Sequence, residues 1–160
     1  MFNGLRYSGV RVLLLCLAFL TIAGGSQVLV AQVDYLRPIG GSEVELLWHL
    51  DAGPESGNLL RDGQNLKLSI DGIDATYTLS RGRVTRVVYH ERFATMAQAE
   101  SAAAKIRKFM EDKGMTLQDM HQGTSHRVVS AAGGGMNGTM ITRVMDGGGF
   151  QVNADISAMH

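Results

Sequence analysis

The 160-residue chain carries 15 basic and 15 acidic residues, a balance that lacks the basic footprint of a nucleic-acid binder. Its single cysteine, Cys16, lies in an N-terminal apolar segment. The rest of the chain therefore has no disulfide, thiolate metal site or thiol nucleophile, and its fold rests on packing alone.

Arg6 and Arg11 precede an apolar run from Val12 to Ile22, followed by Ala23-Gly24-Gly25-Ser26 and Val30-Ala31. A basic start, a short apolar core and small residues at a cut point read as a secretory signal peptide over residues 1–31. Two cleavage points satisfy the small-residue rule, one after Gly25 and one after Ala31. The alternative is a retained anchor, since residues 12–31 reach the length of a membrane span if uncut. Cys16 sits inside the apolar core rather than at its end, which argues against lipid attachment. Cleavage would remove Arg6 and Arg11 and leave 13 basic against 15 acidic residues, a charge of −2.

Residues 32–160 have the length of a single domain with a core of its own. Ser42-Glu43-Val44-Glu45 has the form of a capping box, which favours a short helix over 42–50 against a strand. Residues 52–58 read as a turn-rich loop. Strands follow at Leu66–Ile70, Ala75–Ser80 and Arg83–His90, punctuated by Asp71-Gly72 and Arg81-Gly82. Thr95 and Gln98 open a helix over Met96–Lys113, whose apolar stripe runs through Met96, Ala99, Ala103, Ile106 and Met110. Gly114 is its expected stop.

Phe93-Ala94-Thr95, Ala99-Glu100, Ala103, Ile106 and Lys113-Gly114 resemble the strand–helix segment of SPOR domains, exported modules that bind peptidoglycan. The resemblance covers roughly 30 residues around this segment and implies an envelope role without assigning functional residues. Glu91-Arg92 departs from the small residue expected before the Phe, and the glycine-rich stretch from 126 is longer than in that family.

The remainder predicts a meander of His126–Ala131, Thr139–Met145 and Phe150–Ile156 with glycine-rich turns, and no internal repeat stands out. The expected fold is α+β: an antiparallel sheet of five or six strands with one long amphipathic helix on one face and a short N-terminal helix.

Glycines 133–135 and 147–149 are not followed by Gly-Lys-Ser/Thr and read as turns rather than phosphate cradles. No serine sits in a GxSxG elbow. The chemistry-bearing candidates are strand arginines. Arg86, Arg127 and Arg143 would bind carboxylates or phosphates if register placed them together on the face away from the helix. Tyr89 would add a stacking surface, although alternation puts it opposite Arg86. Met120, His121 and His126 form an alternative set, because thioether and imidazole suit Cu(I). A small enzyme with a dispersed site around His90 or His126 is a third reading. The expectation is an exported, non-catalytic module without a cofactor, binding an envelope polymer or a protein. It touches the membrane only if the N-terminal segment is retained.

Overall fold

The computed structural model describes residues 35–51, 59–70 and 72–159, all within one compact unit, Gln32–His160. The signal peptide expected over residues 1–31 and the turn-rich loop expected at 52–58 lie outside the described residues. The element order is α1 (Glu43–Asp51), β1 (Leu59–Asp62), β2 (Asn65–Ile70), β3 (Ile73–Ser80) and β4 (Arg83–Phe93), then α2 (Met96–Asp112), β5 (Met115–Gln122), β6 (His126–Gly133), β7 (Met136–Val144) and β8 (Phe150–Ala158). The strands form one antiparallel sheet in the order β1-β2-β3-β4-β8-β7-β6-β5. The α+β class is as expected, but the sheet has eight strands, not five or six. The two additional strands, β1 and β5, are its edges.

Alternation decides which side chains enter the core. Ala75, Tyr77 and Leu79 of β3, Val87 and Tyr89 of β4, and Val152, Ala154 and Ile156 of β8 are buried on one face. Register aligns them across the strands, with Tyr77 opposite Val87 and Val87 opposite Ile156. Both helices cover this face. Helix α2 buries Ala99, Ala102, Ile106, Phe109 and Met110. Its ends behave as the sequence predicts: Thr95 and Gln98 form a complete capping box, and Gly114 takes a φ of 77° after the last turn. Thr95→Ala is expected to lower stability by about 1 kcal/mol, read as a lower urea midpoint at unchanged m.

Helix α1 has its own capping box. Ser42 Oγ accepts from the Glu45 amide at 3.2 Å, and Glu45 Oε2 accepts from the Ser42 amide at 2.7 Å. That reciprocal bonding holds the Glu45 carboxyl below its usual range. Leu46 and Leu50 are buried under α1, while Tyr35, Leu36 and Ile39 fill the core beside it. Ion pairs tie the helices to the sheet: Glu43 of α1 with Arg61 of β1, and Arg107 of α2 with Asp119 of β5.

Candidate anion-binding site

No described helix lies over the opposite face of the sheet, which carries the alternate residues of every strand: Thr76 and Thr78 of β3, Asp155 and Ser157 of β8, Asn137 and Thr139 of β7. Toward one end, register lines up Arg92 of β4, Gln151 of β8, Arg143 of β7 and His126 of β6. Arg143 Nε donates to Gln151 Oε1 at 2.8 Å. Gln151 is only 7% exposed although it belongs to the open face, consistent with its place between two long arginine side chains. Arg92 is exposed. Two guanidinium-bearing positions thus stand two strand spacings apart, roughly 10 Å, with an uncharged amide between them and no carboxylate in their register row.

A cleft of about 280 Å³ at the sheet end touches the row only at Arg143 and His126; its other lining residues include Met96 of α2 and, from the helix side of the sheet, Arg127 and Phe150. Met96 opens α2, whose first turn carries no acidic residue, so the positive end of that helix dipole adds to the field there.

The expected grouping of Arg86, Arg127 and Arg143 does not form. Arg127 pairs in register with Thr142, one residue before Arg143, and that single step puts it on the helix side of the sheet. There it meets Glu100 of α2 at 3.3 Å. Arg86 does lie on the open face, but its guanidinium grips Asp155 with two bonds, Nε at 2.8 Å and Nη2 beside it. The hydrogen bonds and charge of Asp155 raise the Arg86 pKa further. Tyr89 offers no surface to a ligand: it is fully buried, stacks on Tyr35 at 6.2 Å and donates its hydroxyl to Glu91. Arg143 alone of the expected set joins the row.

Arg92 and Gln151 were not among the expected site residues. A signal for Arg92 was present, since it stands six residues after Arg86 in one strand and therefore shares its face. Of the other candidates, His121 and His126 come together, their rings stacked at 4.4 Å. His90 Nδ1 lies 2.6 Å from Asn153 Oδ1, an amide where the enzyme reading needs a carboxylate. Among the described residues no three His, Cys, Asp or Glu side chains converge as a metal site.

Fold and face together define a single-sheet α+β domain with helices on one side of the sheet and no described helix on the other. Comparison with protein families, with curated proteins and with solved structures returns no match for this chain. The SPOR resemblance accordingly remains a likeness of one strand–helix segment, the end of β4 with α2.

Proposed function

We propose that the protein is an exported, non-catalytic binding module of the cell envelope that holds an anionic polymer on its open sheet face. The observation that carries this reading is the Arg92–Gln151–Arg143 row. Planar guanidinium forks suit carboxylate and phosphate geometry, and a spacing of two strands suits a ligand that repeats its charge. An extended polymer also matches a flat face better than it matches a deep pocket. The N-terminal segment supplies the address, as a cleaved signal or as a retained anchor.

The test is binding of the purified protein to polyglutamate and to inorganic polyphosphate, with salt raised from about 50 to about 300 mM to screen exposed charges. Affinity is expected to fall with salt, and the double variant Arg92→Ala/Arg143→Ala to lose about tenfold or more, each exposed charge contributing up to about 1 kcal/mol. Arg86→Ala should leave polymer affinity unchanged, because that guanidinium is already occupied by Asp155. Affinity indifferent to salt and to the double variant would remove the reading. Salt-sensitive binding to an acidic protein with none to either polymer would replace the polymer by a protein partner.

A further inference from the structure

We infer that helix α1 and the β3–β4 turn form a docking surface for an anionic lipid bilayer. The surface depends on the N-terminal segment being kept as an anchor, one of the two forms of the proposed function, and is separate from the anion row. Helix α1 is apolar on two sides. Leu46 and Leu50 face the core, yet Val44, Leu47 and Trp48 are 62%, 36% and 77% exposed. Leu47 and Trp48 stand three and four residues after Val44, so the three share one outward stripe. A helix apolar all round belongs in apolar surroundings, and the described residues supply them on the inner side only. Trp48 is also the chain's sole tryptophan, a side chain whose apolar body and polar tip suit a membrane–water interface.

A strained arginine stands beside the helix start. Register pairs Ser80 with Arg83, so Arg81-Gly82 is a two-residue hairpin loop, with φ of 51° and 73°. Positive φ at both places marks a type I′ turn, whose first place suits Asn, Asp or Gly. Arg81 is the only non-glycine among the described residues with positive φ, a conformation that costs stability. Nothing within the described residues offsets that cost, because the Arg81 side chain is exposed and makes no hydrogen bond or ion pair there. The turn is fixed to α1, since the Glu43 amide donates to the Gly82 carbonyl at 2.8 Å. Arg83 is exposed as well, with Nη1 donating to the Gly40 carbonyl at 3.0 Å. The carboxylates at the helix start are engaged, Glu43 with Arg61 and Glu45 with Ser42. Two guanidinium charges thus flank a ridge tipped by tryptophan.

Size and chain connection select the occupant. Three side chains of one nine-residue helix fall short of the roughly 800 Å² per partner that a stable protein interface buries. A bilayer needs no matching surface: it takes the ridge among its headgroups and the arginines beside anionic lipids. Only Gln32, Val33 and Asp34 separate the expected membrane segment, residues 12–31, from Tyr35, which is buried in the core beside α1. Four residue steps reach at most about 14 Å, so a bilayer holding that segment lies within reach of the α1 side of the domain.

The experiment reads Trp48 itself. The full chain is reconstituted in phosphatidylcholine vesicles with phosphatidylglycerol raised stepwise from none. Trp48 emission is expected to shift blue as anionic lipid rises, with quenching by acrylamide lost and quenching by brominated lipid gained. Arg81→Asn should weaken docking about fivefold, the share of one arginine at an anionic surface, while raising the urea midpoint by relieving the turn. Weaker docking paired with a more stable fold separates a lipid contact from a structural role. Val44→Ser should weaken docking and leave polymer affinity unchanged. Arg92→Ala/Arg143→Ala should dock as wild type, which keeps this test independent of polymer binding. Emission unmoved by anionic lipid, or a blue shift that brominated lipid does not quench, would overturn the surface. A blue shift that grows with the number of chains per vesicle would overturn it too, by assigning the ridge to a second copy. Release of residues 1–31 in the native envelope would remove the anchor on which it depends.

Discussion

Gly134→Ala is expected to cost about 2–5 kcal/mol, the sum of a left-handed backbone forced on alanine and a steric clash. Gly134 sits in the turn joining β6 to β7 at a φ of 56°, and a Cβ there would lie 2.0 Å from the Lys113 carbonyl oxygen. The obstacle is backbone, so no rotamer relieves it. To make room, the β6–β7 turn must lift off the end of α2, where Lys113 and Gly114 close the helix. Gly135 is the matched control: its φ is 74°, but nothing lies within 4 Å of its would-be Cβ. Gly135→Ala should therefore cost only about 1–2 kcal/mol. Paired urea denaturation measures the difference, and equal losses would mean that the turn is not seated on the helix end.

Tyr89→Phe is the second large expected effect, and it has a pH signature. The Tyr89 hydroxyl donates to Glu91, itself only 8% exposed. Removing that donor from a buried acceptor should cost about 1–3 kcal/mol at neutral pH. Burial first, then the hydrogen bond and charge of Glu91, push the Tyr89 pKa far above its ordinary range. A folded pKa raised above the unfolded one gives stability that is complete below the unfolded value, about 10 for tyrosine. It is lost as pH climbs past that value, because the unfolded chain releases a proton the folded chain keeps. The loss is about 1.4 kcal/mol per pH unit for one such group. Wild-type stability should decline more steeply than that of Tyr89→Phe between about pH 10 and 11. Parallel slopes would show that the phenol is not held protonated in the core.

Where a segment of this chain has one wet and one dry side over many residues, its structure is legible from sequence. Helix α2, both capping boxes and the alternating strands β3 and β8 are of that kind. The missed strands are the two edges, where the pattern is weakest. In β1, Leu60 is 64% exposed while Leu59 is only half-buried. In β5, only Met115 is buried, and a bulge at Met120 breaks the two-residue period that would have marked a strand. The site is less legible than the fold for a related reason. Each arginine's parity within its own strand can be read, but parity between strands is set by register. One step in the pairing of β6 with β7 parts Arg127 from Arg143, and no local pattern in either strand encodes that step.

The strand order β1-β2-β3-β4-β8-β7-β6-β5 has a further consequence. The chain runs helix and four-stranded meander, then helix and four-stranded meander again, with the last strand of each meander paired antiparallel to the other. The order therefore reads alike outward from the β4–β8 seam in both directions, as it would in two four-stranded half-sheets related by a twofold axis, although the halves show no evident sequence repeat. Within each half, strands pair with their chain neighbours. Among the described strands, only the β4–β8 seam pairs residues as distant as Val87 and Ile156. The Arg86–Asp155 grip spans that seam. In this light, an arginine with the right chemistry for an external anion is spent across the junction of the two halves, beside the backbone ladder that joins them.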